Sequence, residues 1–120
     1  MNIQDLDWHD SQLLSVFINR KNPGLIDDIV FEINFTEDDT KQIVFKNVYW
    51  SSFEMNFGVI GEDSILYFKK SYDDPNILRI KEKWKGLIND VDLISYTIQL
   101  NSTASCIRVI SKSVEIKDIL

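Results

Sequence analysis

Ile29-Val30-Phe31-Glu32-Ile33-Asn34-Phe35-Thr36 alternates large apolar side chains with mostly polar ones, without a break. Successive side chains of a strand point to opposite faces. Ile29, Phe31, Ile33 and Phe35 therefore share a core face, and Val30, Glu32, Asn34 and Thr36 look mostly to water. Burying each of the first four contributes roughly 1.5–3 kcal/mol before chain entropy is counted. Ile94, Tyr96, Ile98 and Leu100 repeat the pattern against Ser95, Thr97, Gln99 and Asn101. Two strands with one apolar and one polar face predict an antiparallel sheet solvated on one side.

Punctuation on either side of these strands extends the sheet. Asn22-Pro23-Gly24 ends a strand predicted at about 12–20, and Glu37 to Thr40 turns the Ile29 strand into one at about 41–49, a hairpin. Asn56 falls on the polar phase of a further strand, in which Gly58 allows a bulge or an end. Ser102 to Ser105 separates the Ile94 strand from one at about 105–111, and a last strand is expected near 113–117. Between the two groups, Asp74-Pro75 supplies an N-cap and a first helical residue. Ile77, Ile80, Trp84 and Leu87 follow at helical spacing, Lys83 and Lys85 favour the negative end of the dipole, and Gly86 fits a left-handed terminus. A strand is the competing reading, because Leu78, Ile80 and Trp84 also alternate with basic residues; the caps favour the helix. A second short helix at about 62–69 completes the expectation. The prediction is α+β: six to seven antiparallel strands with one or two short helices at about 62–86. Edge protection leaves an open sheet and a barrel-like closure as alternatives.

The whole chain, residues 1–120, is expected to form one domain, long enough to bury a core without a disulfide or metal. Net charge is −6, and it is uneven: residues 1–60 hold ten acids and four bases, residues 61–120 nine of each. An acidic surface repels phosphate backbones, which argues against nucleic acid and for a basic protein partner. Cys106 is the only cysteine, which suits a reducing compartment. No basic-then-apolar leader opens the sequence, and no run reaches the ~18 apolar residues of a membrane span. A cytoplasmic location without membrane contact is the expectation.

Candidates for chemistry are few. Trp8-His9-Asp10-Ser11 holds the only histidine beside a carboxylate and a hydroxyl. Neighbours on a strand diverge, so a nucleophilic triad is not expected here. One His and one Cys fall short of a zinc set, and the acidic clusters lack calcium-loop spacing. Met55 to Gly61 carries two glycines but no phosphate-loop pattern. No catalytic residue, metal or cofactor is therefore expected. Tyr49, Trp50, Phe53 and Tyr72 read as core, with an exposed aromatic patch as the alternative.

Trp8-His9-Asp10-Ser11, Met55-Asn56-Phe57-Gly58-Val59-Ile60 and Asn101-Ser102-Thr103-Ala104-Ser105 together resemble a family of small uncharacterised bacterial proteins, over most of the chain. In size, acidity and single-domain style these are similar to the immunity proteins of bacterial toxin systems. The resemblance implies a non-enzymatic binding protein that masks a protein partner, with Trp8, His9, Asp10, Asn56 and Asn101 as candidate binding residues. Two alternatives stand beside it: a small-ligand protein or minor enzyme with a pocket near His9, Asp10, Asn56 and Tyr96, and a structural homo-oligomer.

Overall fold

The computed structural model describes residues 2–119. A 3₁₀ turn, Ile3–Asp5, leads into β1 (Gln12–Ile18), β2 (Ile29–Thr36), β3 (Asp39–Glu54) and β4 (Ile65–Ser71). Helix α1 (Pro75–Lys83) follows, then β5 (Ile94–Leu100) and β6 (Cys106–Asp118). The fold is α+β: six antiparallel strands make one sheet in the order β1-β2-β3-β6-β5-β4. The paired β3 and β6, 16 and 13 residues long, form its spine. β2 and β1 hang on the first half of β3, and β5 and β4 on the first half of β6.

Several predicted boundaries shift. The segment at 62–69 is not a helix; Ile65 to Ser71 pair with β5 as a strand. The strands at 105–111 and 113–117 are one, β6. Their apparent break is a change of phase. Ile107 and Val109 face the core in the first half, and Val114 and Ile116 pack on it in the second. In between, the Ser111 hydroxyl donates to Ser113 O. β3 runs past 49 to Glu54, through Asn47 at φ 54° and past Tyr49, which is left without a partner between Val48 and Trp50. The phase slip hides the strand from a strict period-2 reading. Residues 55–61, read as strand, form a loop, and β1 stops at Ile18 instead of 20.

The sheet does not close into a barrel. It curls round one core to which every strand contributes, and its two outer edges meet at one end only. There Gln12 bridges Ser64. Asp10 N–H donates to Ile65 O at 2.9 Å, Ile65 N–H to Ser11 O at 2.8 Å, and Leu13 N–H to Asp63 O at 2.9 Å. A file of rings runs through the core, Trp8–Phe68–Tyr96–Phe45–Phe31, with successive centroids 4.2, 5.9, 5.0 and 5.3 Å apart. Such aromatic pairs add about 0.5–1.5 kcal/mol each beyond their buried area.

Helix α1 packs Ile77 and Ile80 against Ile88, Leu93 and Ile110, a second and smaller core. Its N-cap is Asp74, whose carboxylate accepts from Asn76 N–H at 2.9 Å and from the Ser95 hydroxyl at 2.6 Å. Pro75 is the first helical residue. The helix ends at Lys83 with Trp84 as C-cap, and Lys85 (φ 52°) and Gly86 (φ 88°) turn the chain away. Leu87, expected on the apolar helix face, lies beyond this turn and is exposed; Ile88 takes the buried position. No helix among the described residues is long and apolar enough to cross a membrane.

Candidate binding surface and groove

The joined edges of the sheet bring the three sequence motifs to one end of the molecule. Trp8 is the internal member: it is buried, stacks on Phe68, meets Phe35 edge-on, and donates its indole N–H to Ile3 O at 2.8 Å. Ser11 is also buried, its hydroxyl donating to Trp8 O. His9 and Asp10 point outward as an exposed pair, Nδ1 to carboxylate 3.2 Å. Exposed pairs of this kind contribute little to stability. Asp10 sits in the left-handed region at φ 67°, where its N–H reaches the carbonyl of Ile65.

Asn56 and Asn101 each bond across the seam between the 55–64 loop and the 101–105 turn. Asn56 donates its backbone N–H to Ser105 Oγ and its Nδ2 to Thr103 O, at 2.9 and 3.0 Å. Asn101 N–H donates to Ser64 O at 2.8 Å. Around them Ser102 Oγ donates to Glu62 O at 2.8 Å, Thr103 Oγ1 to Asp63 Oδ1 at 3.2 Å, and Ser64 and Ser102 share a bond at 3.1 Å. The asparagines thus hold the loop in place by their amides and backbones. Tyr96 takes no part: it is 1% exposed, in the core between Phe45 and Phe68, so it does not line a pocket with His9.

What this lattice displays is apolar. Phe57 is 85% exposed, Val59 53% and Ile60 fully so, on a tip that turns at Gly58 (φ 94°) and Gly61 (φ 142°). Those two φ values are open to glycine and strained for other residues. Acids flank the tip at Glu54, Glu62 and Asp63, and no Lys or Arg occurs between Lys46 and Lys69. The strand reading of Met55–Gly61 missed this display. Its signal was the pair of glycines followed at once by two acids, which suits a turn better than a paired strand.

A second feature is a groove of about 490 Å³ between the 19–28 loop and the C-terminal end of α1. Ile18, Val48, Tyr49, Trp50 and Trp84 line it, with the Tyr49 and Trp84 rings edge-to-face at 5.6 Å. Its rim is tied by ion pairs, Arg20 to Asp27 at 2.8 Å and Lys46 to Asp28 at 2.9 Å. The Asp28 carboxylate raises the Lys46 ammonium above its ordinary range. Tyr49 and Trp50 are therefore half-buried and shared between the smaller core and the groove. Phe53 packs on the main core, and Tyr72 is exposed beneath the Lys70 ammonium.

Among the described residues no group of three or more His, Cys, Asp or Glu is placed to hold a metal ion. Cys106 is half-buried on β6 opposite Glu54. Comparison with family models, curated proteins and solved structures finds no match to this chain.

Proposed function

We propose that this chain is a small non-enzymatic binding protein of a bacterial cytoplasm, of the immunity type, that masks a basic protein partner with its acidic, apolar-tipped end. The observation that carries the reading is the Phe57–Ile60 tip: large side chains held out in water by a hydrogen-bonded lattice and flanked by carboxylates. Interfaces concentrate their energy in a few such apolar anchors inside a polar rim. Glu54, Glu62 and Asp63 supply a rim that attracts a basic surface and speeds encounter. The Met55–Ile60 motif forms this tip and the Asn101–Ser105 motif braces its base, while Trp8–Ser11 joins the sheet edge beside it, an arrangement that fits a role in recognition.

The test is affinity capture from host lysate with the wild type and with a Phe57→Ser/Ile60→Ser variant. It is run at low salt and at about 1 M salt, where screening shortens to about 3 Å. One dominant basic protein is expected with the wild type at low salt, reduced about tenfold or more by the variant, as loss of a binding anchor predicts. Capture that ignores both salt and the variant, or no captured partner, removes the reading.

A further inference from the structure

The sheet ends in two outer strands, and they are guarded differently. β4 carries Lys69 and Lys70. Charged residues, lysine above all, are how natural edge strands resist pairing with a further strand. β1 has no such guard. From Gln12 to Asn19 the sequence holds no charged residue, no Pro and no Gly. Its Leu14, Phe17 and Ile18 are 44, 59 and 44% exposed. Beyond Leu13 only β2 pairs with it, and among the described residues no backbone bond reaches its outer edge. An uncharged strand with Val16, Phe17 and Ile18 in a row and one edge open is a template for another strand.

The edge sets the class of its occupant. A row of backbone donors and acceptors is satisfied by an extended segment laid alongside it. Two features select the same strand of a second copy. Identical strands paired antiparallel lie about a twofold axis, so apolar side chains meet apolar ones and no like charges face each other within Gln12–Asn19. The two ends of the strand also differ in sign. At the first end stand Asp10 and, beside Leu13, Asp63, whose carbonyl accepts from Leu13 N–H at 2.9 Å; Glu62 adjoins it. At the other end Arg20 and Lys21 follow Ile18 within three residues. Arg20 is matched by Asp27, and among the described residues no ion pair holds Lys21. An antiparallel pair sets the Lys21 end of each copy toward the acidic end of the other. A parallel pair would bring like ends together.

We infer that β1 is a dimerisation strand, in which Leu14–Ile18 pairs antiparallel with Leu14–Ile18 of a second copy about a twofold axis near Val16. One sheet then runs through both copies. The two Phe17 side chains share the exposed face on either side of the axis, as diagonal neighbours of the pair. The contact is isologous and closes at two copies, while the lysines of β4 keep the far edge from adding a third. None of these strand residues belongs to the Phe57–Ile60 tip, so the self-contact and partner capture succeed or fail separately.

The experiment is sedimentation of the pure chain from about 1 μM to about 1 mM, a span of weak to moderate affinities. Wild type is compared with Phe57→Ser/Ile60→Ser, Phe17→Lys and Phe17→Glu, each shown by circular dichroism and melting to be folded. Leu14→Lys and Leu14→Glu replace the Phe17 pair should either of those not fold. The wild type and the tip variant are expected to pass from monomer to dimer with rising concentration, and to go no further. Each Phe17 variant alone should dimerise about tenfold or more weakly, because like charges then face each other near the axis. An equimolar mixture of the Lys and Glu variants should recover a one-to-one dimer. Hydrogen exchange of the wild type should show the outer amides of Leu14 to Ile18 open when dilute and protected when concentrated. A wild type that stays monomeric throughout overturns the inference. So does a dimer that survives both charge variants, a mixture that fails to pair, or protection of β1 that does not depend on concentration, which would give the edge to a segment of the same chain.

Discussion

Trp8 turns its indole into the core, where it stacks on Phe68 at 4.2 Å and donates to Ile3 O, while the ring of the next residue, His9, stands in water. Their substitutions should differ accordingly. Trp8→Ala removes a buried ring and its hydrogen bond and is expected to cost about 3–5 kcal/mol; His9→Ala should stay within about 0.5 kcal/mol. Urea unfolding of the two variants decides it, and comparable losses would mean that His9 is built into the fold. Tyr96 offers a second residue-scale test. Burial, with a smaller effect from the Tyr72 phenol, pushes its hydroxyl up to about 12, against about 10 in an unfolded chain. The folded state keeps the proton that the unfolded state gives up. Its contribution is therefore whole below about pH 10 and is lost as pH rises from there through the folded value. Tyr96→Phe should flatten the fall in melting temperature above pH 10; an unchanged slope would place its cause at other groups. Part of this was legible in the lack of a converging triad at Trp8–Ser11, but the parting of Trp8 from His9, both candidate binding residues, belongs to the turn before β1 and not to strand alternation. That Tyr96 shares no pocket with His9 was not legible, because only the curl of the sheet decides what stands beside a strand residue.

At the scale of elements, α1 rests on one carboxylate. Asp74 caps the helix and also holds the buried hydroxyl of Ser95 on β5. Burial works to raise this carboxyl, but the bonds from Ser95 and Asn76 and the charge of Arg108 outweigh it and hold it below its ordinary value of 3.8. A depressed acid contributes stability that is present above its unfolded value and lost as pH falls through the folded one. Asp74→Ala should therefore cost about 0.5–2 kcal/mol at neutral pH, the range of a lost cap. The gap from wild type should narrow as pH drops below about 4. A gap that persists at low pH would assign the loss to packing alone. The capping residues Asp74 and Pro75 were readable because their chemistry is local. The identity of β4 was not: Ile65 to Ser71 show no clean alternation, and only pairing with β5 makes them a strand. The long spine strands were misread for the same reason from the other side. Where the apolar phase slips, at Val48 in β3 and between Val109 and Val114 in β6, one strand looks like two. The tip loop was invisible as a site, since exposure of Phe57 and Ile60 depends on what fails to pack over them.

The whole molecule depends on a seam that is only partly sewn. β1 and β4 are the outer edges of the sheet, yet Asp10, Leu13 and Ile65 donate their amides across the gap to the opposite edge. Beyond Leu13, β1 carries no bond of this kind, so its outer edge is unpaired there although β2 pairs its inner edge, and its Leu14, Phe17 and Ile18 are exposed. This geometry anchors the 55–64 loop at one end: Asp63 is held by Leu13 through its carbonyl and by Thr103 through its carboxylate, so the apolar tip projects from a braced base. Native-state hydrogen exchange in dilute solution should read the seam directly. The amides of Asp10, Leu13 and Ile65 are expected to open only with the sheet itself, whereas the β1 amides from Leu14 to Ile18 that point away from β2 should exchange at rates close to those of open chain. Free exchange at the seam would mean that the edges part in solution and the tip is unbraced. Protection along all of β1 would mean that a further strand, the sheet's own or another copy's, covers that edge. Thr103→Val separates brace from seam. It removes the hydroxyl that holds Asp63 while leaving the three backbone bonds in place, so exchange at Leu13 and Ile65 should stay slow while amides of residues 57–62 speed up. If the seam amides accelerate as well, the brace and the closure of the sheet are one cooperative unit.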